Sequence, residues 1–334
     1  MNLEERIRAF TQLGGYLKEK FANDYERNIY EATVKNQWFT VYNINNAISL
    51  WGDKLTDDML SAWLIPYQLE EPKFPKRVLI IMAGNIPLVG FHDLLSVLIT
   101  GNRAVIKLSS NDKVLIPVII ERLFNIESSF KDQIEFIDEI KDKQFDAVIT
   151  TGNDNSSKYF EYYFKAAKKI IRKNRRSIAV LNGKETKRDL EGLANDVFSY
   201  FGLGCRNISK VFLPKGYNLN KLFEAFYPYK KILEHKKYAN NYDYNKAIFL
   251  MGSNDLVENG FLLLKEDKSL LSPVAMLYYE YYTDIDLVEE FIENNIDILQ
   301  CVVSHDKIPF GHTQKPNLWD YADGVDTIEF LSKF

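Results

Sequence analysis

Hydrophobic and polar positions divide this chain into a helical start and a long alternating remainder. Residues 1–65 repeat helical apolar spacings separated by polar breaks, which predicts a layer of N-terminal helices. The pattern then changes. Val78-Leu-Ile-Ile-Met-Ala-Gly84 is a continuous apolar run ending in glycine, the form of a strand buried on both faces. An apolar helix is predicted from about Leu88 to Thr100, a second strand at Ala104–Ser109, and a helix from about Asp112 to Phe124. Phe145–Gly152 reads as a third strand entering a helix near Asn153, and Ser177–Gly183 as a fourth. Strands separated by helices of this length predict a parallel α/β sheet with right-handed crossovers.

The alternation resumes further on. Lys210–Pro214, Ala247–Met251, Val274–Tyr279 and Leu299–Val303 read as strands, with helical stretches near 217–236 and 284–294. A boundary is placed near 182–186, so that a second α/β unit follows it. The segment Tyr238–Lys246, rich in Tyr, Asn and Lys, reads as a surface loop.

Seven basic side chains crowd residues 165–176: Lys165, Lys168, Lys169, Arg172, Lys173, Arg175 and Arg176. Phe160, Phe164, Ala167 and Ile171 form an apolar stripe at helical spacing beside them. The basic residues are therefore read as the wet face of a surface helix rather than a nucleic-acid site.

Composition narrows the classes. The 334 residues are 46% hydrophobic and 26% charged, with a formal charge of -4, which gives no general attraction to nucleic acid or anionic lipid. Two cysteines make no disulfide framework and suit a reducing cytoplasm. No apolar run is long enough to span a membrane, and the four histidines, at 92, 235, 305 and 312, form no metal-ligand spacing with the cysteines.

The chemistry sits in short motifs at predicted strand ends, where ligands bind in open α/β sheets. There is no Gly-x-Gly-x-x-Gly and no P-loop. In order come Gly84-Asn85-Ile86-Pro87, Lys107 with Ser109 and Ser110, Thr151-Gly152-Asn153, and Leu181-Asn182-Gly183-Lys184. Then Phe201-Gly-Leu-Gly-Cys205 sets a thiol among glycines before an apolar run, and Pro309-Phe-Gly-His312 closes the series. Glycines at 202 and 204 open the approach to a nucleophilic sulfur and permit unusual backbone angles. Cys301, inside a strand pattern, is read as core, and His312 as a residue that could line the site.

This ordered set resembles the aldehyde dehydrogenase superfamily, and most closely its acyl-CoA reductase branch, the LuxC-type fatty acid reductases. The resemblance runs from about residue 78 to the C-terminus and includes Pro309–Leu331. It implies a two-domain α/β fold: N-terminal helices and a Rossmann-type NAD(P)-binding domain over 1–184, a catalytic domain over 185–310, and a segment 311–334 packing back on the core. It makes Cys205 the nucleophile and Asn85 the oxyanion-stabilising amide. Lys107, Ser109, Ser110, Thr151, Gly152, Asn153, Leu181 and Gly183 become cofactor-binding residues.

Three departures from the superfamily pattern bear on chemistry. The general-base glutamate ahead of Leu-Gly-Gly-Lys is replaced by Val180, which disfavours hydrolysis of an acyl-cysteine and favours its reduction. A carboxylate that binds a ribose 2′-hydroxyl is replaced by Ser110, which tolerates the phosphate of NADPH. The Glu-x-Phe-Gly-Pro motif near the nicotinamide ribose reads Ser269-Leu-Leu-Ser-Pro273. The expectation is NADPH-dependent reduction of an acyl-CoA, or another acyl thioester, to an aldehyde, with NAD as the alternative cofactor. The expected partners are acyl-CoA or an acylated carrier or acyltransferase, and the oligomeric state, homo-oligomer included, is open. An acyl-phosphate reductase and a non-redox acyl-transfer protein are the rival readings.

Overall fold

The computed structural model describes the chain except Glu70, Asp142, Asn153, Ala166 and Phe334, and except the side chains of residues 154–157. It divides into two compact units, Met1–Asn174 with Asn317–Phe334, and Arg175–Pro316.

The first unit begins with α1 (Leu3–Glu19), started by a reciprocal cap. The Asn2 side chain accepts the Glu5 N–H at 2.9 Å, and the Glu5 carboxylate accepts the Asn2 N–H at 2.8 Å. Phe10, Leu13 and Leu17 turn inward. Arg6 is buried among them, its charge met by the Glu71 carboxylate at 2.8 Å and its Nε donating to the Ile99 carbonyl at 2.9 Å. Helices α2 (Phe21–Asp24), α3 (Glu26–Lys35), α4 (Val41–Lys54) and α5 (Asp57–Leu64) complete the N-terminal layer. Threonines 40 and 56 cap the last two.

Five strands follow: β1 (Arg77–Ile81), β2 (Arg103–Lys107), β3 (Ile134–Phe136), β4 (Ala147–Thr151) and β5 (Lys168–Arg172). They form one sheet in the order β3-β2-β1-β4-β5, every pairing parallel. Helices α6 (Phe91–Ile99), α7 (Leu115–Ile126) and α8 (Asp154–Tyr163) connect them. The three inner strands β1, β2 and β4 have buried apolar middles because both faces are covered. Val78, Ile80, Ala104 and Ile106 share a core with α1, α6 and α7, while Leu79, Ile81, Val105 and Val148 pack on the other face with Ile137 and Phe164. The chain turns to one side of β1 for β2 and β3, then to the other for β4 and β5, and this reversal is where such sheets open a ligand crevice.

The basic stretch differs from its helical expectation. Helix α8 ends at Tyr163, and residues 168–172 form the edge strand β5. The stripe Phe160, Phe164, Ala167 is real, but Ile170 and Ile171 are β-branched and pair with Ile149 and Thr150 of β4. Arg172 is buried, salt-bridged to Asp93 at 2.5 Å, and donates to the Ala322 carbonyl at 2.6 Å and to Thr327 Oγ1 at 2.9 Å. The Asn317–Phe334 segment is thereby pinned, and its helix Thr327–Ser332 adds Ile328 and Leu331 to the same core as α6.

In the second unit β6 (Arg176–Val180) leads to α9 (Lys187–Phe198), β7 (Ile208–Pro214), α10 (Asn220–Phe226) and α11 (Lys236–Met251). Then come β8 (Val257–Glu258), β9 (Leu263–Glu266), β10 (Met276–Tyr282), α12 (Ile285–Asn294) and β11 (Leu299–Val303). The sheet order is β11-β6-β7-β10-β9-β8, parallel except for the β8–β9 pair. The strand expected at Ser177–Gly183 thus hydrogen-bonds in the second sheet, ahead of residues 182–186.

Residues 238–251 overturn two expectations at once. The expected loop 238–246 and strand 247–251 are one helix, α11. Tyr238, Tyr242 and Asn245 lie on its buried face at spacings of four and three, with the Tyr238 hydroxyl donating to the Phe261 carbonyl at 3.0 Å. Ile248, Leu250 and Met251 are exposed, so the apolar run that imitates a strand is the outer end of a helix.

Candidate active site

Cys205 stands at the head of β7, and four features of the preceding chain set its position. Helix α9 starts at Thr186, whose side chain accepts the Asp189 N–H at 3.2 Å. Beyond its end the backbone enters the left-handed region at three successive residues, Tyr200 (φ 51°), Phe201 (φ 61°) and Gly202 (φ 76°). The two aromatic residues pay roughly 1–3 kcal/mol each for that conformation, so surrounding contacts must hold it. One such contact is the Phe201 ring on the His235 ring, centroids 4.1 Å apart. Glycine at 202 continues the run without a Cβ penalty.

A tight turn then carries the thiol. Asn207 N–H donates to the Gly204 carbonyl at 3.0 Å, leaving Cys205 and Arg206 as the central residues. Ser177 Oγ donates to the Cys205 carbonyl at 2.8 Å. Cys205 is partly exposed, whereas Cys301 on β11 is buried. Arg206 Nη1 lies 3.4 Å from the Cys301 sulfur, but burial dominates there and pushes the Cys301 thiol up. The two cysteines therefore sit in different surroundings: Cys205 is partly exposed, and Cys301 is a core residue whose thiol is pushed up by burial.

The loop holding His312 belongs to the same unit. Asp196, in the last turn of α9, is fully buried and accepts the Gly311 N–H at 2.7 Å, the Thr313 N–H at 3.1 Å and the Thr313 hydroxyl at 2.8 Å. Burial pushes the Asp196 carboxyl up, and these three donors act against that shift. His312 itself is exposed.

Val180 ends β6 inside an apolar cluster with Ile178, Phe212 and Val288. No carboxylate stands at that position. The next acid, Glu185, is taken up by backbone donors, accepting the N–H of Asn182 at 2.5 Å and of Gly183 at 3.2 Å. Leu181 is buried, and its carbonyl accepts the Tyr282 hydroxyl at 2.7 Å. Gly183 is exposed with φ 88°.

The remaining sequence-derived residues lie in the first unit. Asn85 is exposed on the loop after β1, and Thr151 ends β4, so the two flank the reversal in strand order. Gly84 allows a close approach, since a Cβ there would meet Ser109 Oγ at 2.8 Å. Gly152 is half-buried, and Asn153 lies outside the described residues. Lys107 ends β2, with Ser109 and Ser110 just beyond. Lys107, Ser110, Lys113, Phe136, Ile137 and Asp138 line a cleft of about 170 Å³. Two ammonium groups and a hydroxyl beside an aromatic ring can hold a phosphate next to a flat base. Asp112 anchors this loop, accepting the Leu115 N–H at 3.3 Å from a buried position that pushes its carboxyl up.

Sequence reasoning missed Lys113, Phe136 and Asp138 in the cleft, and Asn207 and Asp196 at the thiol. Asn207 carries a faint signal, an amide two residues past the cysteine where a strand begins. Asp196 carries none, because the partners of its carboxylate are more than a hundred residues away. Among the described residues no group of three or more His, Cys, Asp or Glu side chains is placed to hold a metal ion, and no helix is long and apolar enough to cross a membrane.

Two largely parallel sheets, the first of this order and the second with a partly exposed cysteine ahead of one strand, make a fold that solved aldehyde dehydrogenases share. Aldehyde dehydrogenase 21 from Physcomitrella patens superposes with a TM-score of 0.69 at 14% identity, covering 88% of this chain and 71% of that one. A NAD-dependent benzaldehyde dehydrogenase from Corynebacterium glutamicum gives 0.67 at 16% identity, over 92% and 77%. An NADP-dependent glyceraldehyde-3-phosphate dehydrogenase from Bacillus halodurans, complexed with NADP, gives 0.65 at 14% identity, over 92% and 75%. Within that class, the acyl-CoA reductase (LuxC) family matches residues 43–224, more than half of the chain, and the chain belongs to that family. A curated relative, the long-chain acyl-protein thioester reductase of Aliivibrio fischeri, is 24% identical over 272 residues. The match takes in 71% of this chain but only 55% of the relative, so the chain spans about half of that protein's length.

Proposed function

We propose that this chain reduces an acyl thioester, carried by CoA or by a protein, to an aldehyde through an acyl-cysteine at Cys205. The observation that carries the reading is the partly exposed thiol on a turn fixed at the head of a strand, in a chain of the LuxC family. In this reading the Cys205 thiolate attacks the thioester carbonyl, and the displaced thiol leaves with the proton. Asn85 is the donor assigned to the oxyanion, on the resemblance of its motif. Val180, apolar and buried, offers no base to activate water, which supports reduction over hydrolysis.

The first-unit cleft suits the cofactor's phosphate-bearing end. Lys107, Ser110 and Lys113 would hold it, opposed by the one carboxylate of the lining, Asp138, and the hydroxyl at Ser110 supports NADPH over NADH. When bound, the reduced nicotinamide supplies the hydride for the acyl-cysteine.

Incubation with a long-chain acyl-CoA, followed by intact mass and peptide mapping, tests the proposal. One acyl group on Cys205, discharged as aldehyde when NADPH is added, is expected, and Cys205→Ala should take up none. Normal aldehyde formation by Cys205→Ala would overturn the covalent route. Labelling by an acyl phosphate but no thioester would move the substrate class, and a label that NADPH never discharges would make the protein an acyl-transfer device.

A further inference from the structure

Asn207 spends every polar atom of its side chain on the segment that carries the thiol. Its Oδ1 accepts the Gly204 N–H at 2.9 Å, closing the turn around Cys205 from inside. Its Nδ2 donates to the Asp196 carbonyl at 3.0 Å and the Ser199 carbonyl at 2.8 Å, at the C-terminal end of α9. Carbonyls at a helix end lack partners within the helix, so an amide supplied from outside replaces a missing cap. The residue is 4% exposed, so these bonds are not exchanged with water. No other residue type of this size offers both an acceptor and two donors at one branch point.

The partner it grips is also specific. The carbonyl of Asp196 holds the thiol turn through Asn207, while the carboxylate of the same residue holds Gly311 and Thr313 on either side of His312. One helical turn thus sets two loops, reached from positions 207 and 311–313. The left-handed run at Tyr200, Phe201 and Gly202 lies between α9 and the turn, and a strained link of this kind relaxes elsewhere unless both ends are tied.

From this arrangement we infer that Asn207 is a positioning residue for the Cys205 nucleophile, tying its turn to the end of α9 so that the thiol meets an acyl carbonyl in one orientation. The inference rests on the reading of Cys205 as the acylated residue. It makes a distinction that simple stabilisation would not make. Attack on a bound thioester depends on direction, and a misplacement of about 1 Å costs on the order of 100-fold. Alkylation by small iodoacetamide depends mainly on thiolate content and access.

The test compares both reactions of Cys205 in the full chain. Asn207→Ala should slow acylation by acyl-CoA about 100-fold while slowing iodoacetamide alkylation less than tenfold across pH 6–9. Asn207→Asp keeps an acceptor for the Gly204 N–H but sets oxygen against the two carbonyls, and should fall between wild type and alanine. If the alanine variant does not fold, the aspartate variant is read by the same ratio. Acylation within threefold of wild type, or equal losses in both reactions, would overturn the inference. Failure of the wild-type chain to acylate at all would instead sink the reading of Cys205, so the two failures are told apart.

Discussion

The cleft at the end of β2 and the thiol turn ahead of β7 solve different problems with different materials. The cleft follows its strand, is lined, Ile137 apart, by exposed or half-buried side chains, and carries two lysines and a serine of the kind a flexible, charged ligand would meet. The thiol turn precedes its strand and depends on buried polar groups: Ser177, Asp196 and Asn207 are all nearly or fully hidden. Charge attracts at a distance and forgives small displacements, whereas bond formation does not. The difference teaches that the binding region should tolerate substitution in graded steps and the reacting region should not.

Asn85→Ala gives the largest expected effect among the tests of this contrast. Loss of an oxyanion donor costs roughly 3–4 kcal/mol, so steady-state turnover should fall about 100-fold or more with the affinity for NADPH unchanged. A rise in the NADPH dissociation constant with turnover intact would reassign Asn85 to the binding region and break the comparison there.

A middle-sized effect is expected at Ser110→Asp. A carboxylate facing a ribose phosphate between Lys107 and Lys113 should weaken NADPH about tenfold, equivalent to about 1.4 kcal/mol, and favour NADH. Fluorescence titration with each nucleotide reads the shift directly, and an unaltered preference would remove the 2′-phosphate from this cleft.

The smallest effect is common to both regions. Asp112 and Asp196 are each held protonated more readily by burial. A carboxyl whose folded pKa is raised contributes stability that is full below its unfolded value and is lost as pH rises through the folded value. The stability of wild type minus that of Asp112→Asn should therefore be larger at pH 4 than at pH 7, and likewise for Asp196→Asn. Urea unfolding at the two pH values checks the sign, and a difference that shrinks on acidification would contradict it.

The legible parts of this molecule are those whose partners are near in sequence or repeat with the period of a strand. The run Val78–Ile81 declares itself as a doubly covered strand, and Gly84-Asn85 and Lys107 fall, as read, at or just beyond the ends of β1 and β2. Residues 247–251 mislead because five apolar residues fit a strand or the outer end of a helix equally well, and only the buried spacing Tyr238, Tyr242, Asn245 decides between them. Arg172 reads as one more surface charge until the fold brings Asp93 and Thr327 to it. The candidate thiol Cys205 stands out in the sequence by its glycines, but its supports do not, since Asp196 reaches residues 311 and 313 only through the folded chain.

The clasp of Arg172 on Asp93, Ala322 and Thr327 has a consequence for synthesis on the ribosome. Domains ordinarily fold in the order in which they emerge. Here the first unit lacks Ile328 and Leu331 of its core, and the carbonyl and hydroxyl that satisfy Arg172, until residues past 317 have been made. The second unit, contiguous from Arg175 to Pro316, has all its strands before that moment. The first unit's core is therefore interrupted in sequence by the whole second unit, and Arg172 finds its last partners on a segment that lies beyond it.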